Sequence, residues 1–318
     1  MTSDEIYHSA IMIIDAHTHL YGPELSPRWW IDAMARYGSQ LSGRPPEYVR
    51  ERIEHDWFDD TGDRLVGDMD AAGIDRSIVF VLDFGLYAGT DDGVSLERRY
   101  GLYHRAVARH SERLALFGGI DPRRPDAAAF IERAAREWSI KGVKIWPPAG
   151  VAPNEPACYR VYETCVRLGL PVVVHTGQEI GPLHSALCQP ILVDQPANDF
   201  PELTFVLAHA GMGWWQEAAE MAWHHGNVYL DIAYWQAKYL RDAEHFTREL
   251  RSLLSTAGKG RVFLGTDWPA LRTVRRVEPA TWMKVLRELP ERAPGNVRFD
   301  ADEIALLMGD AAARVLTL

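Results

Sequence analysis

The chain has 318 residues, 47% of them hydrophobic and 25% charged, and a formal net charge of −10. That is enough length for one large globular domain, and the acidic balance argues against a nucleic-acid surface. Three cysteines, Cys158, Cys165 and Cys188, have no metal-ligand spacing and no disulfide framework, which fits a reducing compartment. With no apolar run approaching ~18 residues and no leader pattern at the start, a cytoplasmic protein that does not enter a membrane is expected.

In chain order, eight short apolar runs read as strands: 12–15, 76–82, 114–120, 142–146, 171–175, 204–208, 228–232 and 261–265. Amphipathic patterns over 61–73, 95–111, 126–138, 156–168, 213–225 and 240–257 read as helices between them, and 301–317 as a closing helix. Asp126 follows Pro125 as a helix start, while Gly73 and Gly169 mark helix ends. Strands alternating with helices imply right-handed βαβ units. Eight units predict a (β/α)8 TIM barrel, one domain over 1–318. Residues 21–60 break the rhythm, being far longer than a usual βα loop and rich in Trp and Pro. They are read as an inserted loop, a lid or pocket wall to which Trp29, Trp30 or Trp57 contributes. The alternative is a subunit interface, which leaves a homodimer open. The stretch 187–200 is a second irregular segment near the same face.

The chemistry concentrates where the strands end. His17 and His19 form a His-x-His pair; His175 closes Val172-Val173-Val174, His209 closes Phe205-Val206-Leu207-Ala208, and Asp267 follows Val262-Phe263-Leu264-Gly265-Thr266. Residues two apart on a strand share a face, so the histidine pair can converge on one point. A barrel places its active site at the C-terminal ends of its strands. Imidazole and carboxylate together suit Zn²⁺ and its neighbours. Any one of these residues alone reads as well as a satisfied structural side chain; the series of five does not. No nucleophile elbow, dinucleotide fingerprint or phosphate loop is present in the sequence.

The pattern resembles the amidohydrolase superfamily, and within it the amidohydrolase-2 branch that includes aminocarboxymuconate-semialdehyde decarboxylase. The resemblance is carried by His17-Thr18-His19, Val174-His175-Thr176-Gly177, Ala208-His209-Ala210-Gly211 and Gly265-Thr266-Asp267-Trp268-Pro269, with Met69–Asp75 and Gly309–Leu316 resembling the family's first and closing helices. It implies one divalent metal, Zn²⁺ or else Mn²⁺, on His17, His19, His175 and Asp267, with His209 beside it as a catalytic group. The family includes hydrolases, lactonases, hydratases and nonoxidative decarboxylases; with His17 in place of the Glu of many hydroxybenzoate decarboxylases, the favoured reading is metal-dependent hydrolysis of an amide or lactone in a small organic acid, with Asp267 and His209 catalytic. The alternative is nonoxidative decarboxylation of an aromatic or muconate-type acid. Lys144, in the fourth strand, is open to three readings: a carboxylated metal bridge, a pocket ammonium or a structural ion pair. Trp146 shares its face, and Tyr234 follows the seventh strand, so both are candidate pocket residues beside Lys144.

Overall fold

A computed structural model describes residues 12–87, 93–270, 272, 277–316 and 318. Eight strands follow one another in sequence: β1 (Ile14–His19), β2 (Arg76–Phe80), β3 (Leu114–Gly119), β4 (Val143–Ile145), β5 (Val172–His175), β6 (Phe205–Ala208), β7 (Val228–Asp231) and β8 (Val262–Phe263). Each pairs in parallel with the next. The ring closes through Ala16 N–H to Leu264 O at 2.9 Å and Asp267 N–H to His17 O at 2.9 Å. All eight strands and the (β/α)8 barrel agree with the reading of the sequence.

Alternation along each strand separates two cores. Outward residues such as Val79, Leu116, Val143, Val172, Leu207 and Leu230 pack beneath the helices. Inward residues, among them Ile14, Ala16, Ile78, Phe80, Phe117, Val173, Val206 and Phe263, fill the lower barrel, and Ala311, Ala312 and Leu316 stopper it from below. Both faces are therefore buried, which is why these strands are nearly continuous apolar runs. Gly309 makes the stopper fit: a Cβ there would stand 1.8 Å from the carbonyl oxygen of Met12. The closing helix is accordingly broken into Ala301–Ala305, a wider turn over Leu306–Asp310, and Ala311–Val315. Residue 317, its expected end, lies outside the described residues.

Strand β1 carries an irregularity that matters for the site. Asp15 pairs with Ser77 and Thr18 with Val79, so three residues of β1 advance against two of β2. This bulge reverses the inward parity. Ile14 and Ala16 face the lower core, and beyond the bulge His17 and His19 face inward as well. Strict alternation would have forced a choice between the two pairs.

The insertion is not the loop expected from its prolines. It is a helical hairpin, α1 (Arg28–Ser42) and α2 (Pro46–Trp57). Pro27 and Pro45 are N-cap residues and Pro46 the first residue of α2. At these positions a missing N–H costs nothing and a fixed φ is favourable, so the prolines start helices rather than break them. Gly43, at φ 69°, ends α1 in the left-handed region. The hairpin has its own core, in which Trp30, Ile31, Ala35, Val49, Ile53 and Trp57 pack with Tyr21 and with Leu82, Phe84 and Trp146 of the barrel. Helices over Asp194–Asp199, Gln236–Arg241 and Pro279–Arg292 are further separate elements, beyond those the sequence patterns predict. No helix among the described residues is long and apolar enough to cross a membrane.

Candidate active site

The inward faces that are apolar at the bottom of the barrel become polar at the top. Lys144 sits between outward Val143 and Ile145, His175 follows outward Val174, and Asp231 follows outward Leu230. His17 Nε2 lies 3.2 Å from His19 Nε2. Asp267 Oδ1 is 3.6 Å from the first of these atoms and 3.4 Å from the second. Four ligand atoms held tetrahedrally at ~2.0–2.2 Å from one ion stand roughly 3.4 Å apart, so this nitrogen, nitrogen and oxygen set has the spacing and chemistry a divalent metal requires. His175 stands one step away. Its Nδ1 is 3.1 Å from His209 Nε2 and its Nε2 is 3.4 Å from Glu179 Oε2. His209 in turn lies against His17, ring centroids 4.7 Å apart.

Electrostatics favour lone pairs here. Burial, reinforced by the neighbouring Lys144 charge, holds the His17 imidazole well below its ordinary pKa; burial and the His209 charge do the same for His175. His209 is also shifted down, again chiefly by burial. Burial by itself pushes the Asp267 carboxyl up, but the His19 hydrogen bond and the charges of His209 and His17 outweigh it and leave the group well below the usual carboxylate range. The site therefore favours an ionised Asp267 beside the His17, His175 and His209 imidazoles, which give up their protons readily.

Lys144 is almost fully buried, its Nζ 3.5 Å from His17 Nε2 and 4.6 Å above the Phe80 ring. Burial pulls its pKa down to about 8. Among the described residues no carboxylate makes a direct ion pair with it, while Asp231, Asp267 and Glu179 attract its charge from further off.

The backbone around the site is strained. His209, Ala210, Met212, Tyr234 and Asp267 all have positive φ, at 61°, 43°, 48°, 68° and 56°. Non-glycine residues persist there only when their surroundings hold them. The His209 carbonyl accepts from Trp235 Nε1 at 2.8 Å, Gly211 N–H donates to Thr176 Oγ1 at 3.1 Å, and Lys238 Nζ donates to the Met212 carbonyl at 3.1 Å. Asp267 is set by Thr266, whose N–H and hydroxyl donate to the buried Asp15 carboxylate at 2.9 and 2.5 Å. Gly265 leaves room for this approach, since a Cβ there would lie 3.0 Å from His17 Cβ.

Above these residues opens a cavity of about 240 Å³. His19, His175, His209, Lys144 and Asp267 border it, as do the expected Trp146 and Tyr234. The hairpin contributes Trp30, Met34 and Tyr37 to the wall. Of the three tryptophans considered, only Trp30 borders the cavity. Trp57 is fully buried against Tyr21, ring centroids 5.3 Å apart, and Trp29 packs on Tyr87 at 4.9 Å. Glu179, Gln178 and Arg241 also border the cavity and were not singled out in the sequence. Glu179 is pushed up to about 7 by burial. Of the polar residues missed, Asp231 had the clearest signal, because it closes the apolar run Val228-Tyr229-Leu230 as His175 and His209 close theirs.

The model of the amidohydrolase family, Amidohydro_2, matches residues 14–318. The chain belongs to this family. No curated protein sequence matches the amidohydrolase. Solved structures with the same fold include 5-carboxyvanillate decarboxylase from Novosphingobium aromaticivorans, complexed with manganese and 4-hydroxy-3-methoxy-5-nitrobenzoic acid (TM-score 0.66, 16% identity, covering 97% of each chain). A second is a probable 2-pyrone-4,6-dicarboxylic acid hydrolase from Acinetobacter baumannii with citric acid bound (0.63, 11%, 96% of this chain and 98% of that one). A third is an amidohydrolase from Burkholderia multivorans with bound zinc (0.64, 18%, 96% and 98%). At these identities the likeness is one of fold, and the neighbours include decarboxylases as well as a hydrolase.

Proposed function

We propose that this amidohydrolase is a metal-dependent hydrolase that adds water to the carbonyl of an amide or lactone in a small organic acid. The observation that carries the reading is Asp267, whose carboxylate borders the cavity 3.6 Å from His17 Nε2 and 3.4 Å from His19 Nε2 and is held in its ionised form chiefly by the His19 hydrogen bond. Such a group can take a proton but arrives with none to give. His17, His19, His175 and Asp267 are the proposed ligands of one divalent ion, zinc or manganese. When bound, that ion supplies Lewis acidity, lowering the pKa of water and polarising a carbonyl.

The chain's own groups then divide the work. Asp267 takes the proton of the attacking water at a carboxylate oxygen and returns it to the leaving nitrogen or oxygen as the C–N or C–O bond breaks. His209 orients the water or the carbonyl oxygen through Nε2. The Lys144 ammonium holds negative charge on the substrate, which favours a carboxylate or lactone acid. Trp30, Trp146 and Tyr234 supply a wall for a small, planar molecule and keep bulk water out.

Glu179 favours a second reading. With its carboxyl pushed up to about 7, it borders the same cavity and can arrive protonated. Nonoxidative decarboxylation needs such a donor, to deliver a proton to the carbon that loses CO2.

Isotopes separate the two on a panel of small aromatic acids, muconate-type acids and lactones. Turnover in H2¹⁸O by the hydrolase is expected to place one ¹⁸O atom in the product carboxylate and to release no CO2. Release of CO2, with one deuterium on the product carbon in D2O, would replace the hydrolase by the decarboxylase.

A further inference from the structure

The seventh strand ends on a carboxylate that neither mechanism uses. Asp231 is fully buried and does not border the cavity. Its Oδ2 lies 2.9 Å from His17 Nδ1. Its Oδ1 accepts the backbone N–H groups of His209, at 2.9 Å, and Ala233, at 3.0 Å. One side chain thus ties the inward end of β1 to the strained turn after β6 and to the end of β7.

His17, His209 and Asp231 also lie close enough together to bracket an ion. The commitments of Asp231 argue against that use, since both its oxygens already accept hydrogen bonds and the cavity gives no path to them. The consequence for His17 is more specific. A neutral imidazole has one N–H and one lone pair. Donation to an Asp231 carboxylate requires the hydrogen on Nδ1, which leaves the lone pair on Nε2. That nitrogen is the atom 3.2 Å from His19 Nε2 and 3.6 Å from Asp267 Oδ1.

We propose that Asp231 is a positioning residue that selects the Nδ1–H tautomer of His17, so that Nε2 is the ligating nitrogen, and that it clamps the left-handed backbone of His209. The metal part of this inference rests on the proposed ligand role of His17; the tautomer part does not. Carboxylates that accept from a metal-bound histidine act in this way, and their loss typically weakens metal binding ~10–100-fold.

The test uses the full chain, metal-free and then titrated with zinc. In ¹⁵N-histidine-labelled wild-type protein, long-range ¹H–¹⁵N spectra at neutral pH are expected to show His17 with its hydrogen on Nδ1, the resonance being assigned by its loss in His17→Gln. This arm needs no Asp231 variant to fold. In Asp231→Asn, the amide oxygen can still accept from His209 and Ala233, but the amide nitrogen can only donate to His17. The hydrogen is then expected on Nε2, and zinc affinity measured by chelator competition is expected to fall ~10–100-fold. A wild-type His17 carrying Nε2–H, or an Asn variant with unchanged tautomer and unchanged zinc affinity, would overturn the proposal. Zinc binding absent from wild type, with the tautomer change intact, would support the positioning role and remove the metal reading instead.

Discussion

Replacing Asp267 by Asn is expected to lower turnover by ~10²–10⁴-fold, the range general acid–base catalysis typically contributes. The change is nearly isosteric, and the backbone that presents the residue stays anchored by Thr266 on Asp15 and by Asp267 N–H on the His17 carbonyl. Asn still offers an oxygen to an ion, but it cannot accept a proton. Metal content should therefore fall less than in a protein carrying both His17→Ala and His19→Ala, which removes two ligand atoms at once. The comparison distinguishes the base from the ligand. Measured steady-state rates within tenfold of wild type for the Asn variant would remove Asp267 as the proton acceptor, whatever its metal content.

Stripping the protein with a chelator is expected to abolish activity and to lower its thermal midpoint, with both restored by adding zinc or manganese. An ion that binds only the folded chain stabilises it by about 2.7 kcal/mol at a hundredfold excess over Kd and about 4.1 kcal/mol at a thousandfold excess. The sign follows from the chain itself: His17, His19 and Asp267 come from β1 and from the end of β8, so no such set exists in the unfolded state. Calorimetry with and without added metal reads the shift directly. An unchanged midpoint together with retained activity would mean that the histidines and Asp267 work without an ion.

What could be read from the sequence was what periodicity and residue type encode. The strands were visible because parallel strands buried on both faces become continuous apolar runs, and Val172-Val173-Val174-His175 is a clear case. Strand-terminal His175, His209 and Asp267 followed from the same pattern. The hairpin was hidden because Pro27, Pro45 and Pro46 read as breakers, whereas their place at helix starts depends on what they precede. The β1 bulge was hidden too. Alternation accounts for His17 and His19 facing inward together, but Ile14 and Ala16 sharing that side is a matter of pairing with β2. Glu179 was beyond reach for a third reason. Its role comes from burial beside His175, and a Glu in a loop carries no mark of burial. Asp231 was within reach, since it closes a strand as the chosen residues do, but its partners His17 and His209 lie 214 and 22 residues away along the chain.

The most direct measurement is the metal content of the purified wild-type protein, by elemental analysis against protein concentration. A single centre on these ligands should give about one equivalent of a divalent ion per chain, zinc or manganese, lost in the protein with His17→Ala and His19→Ala. Two equivalents, with a carboxylated Lys144 bridging them, would contradict the single centre. No bound ion in an active preparation would contradict the metal centre altogether.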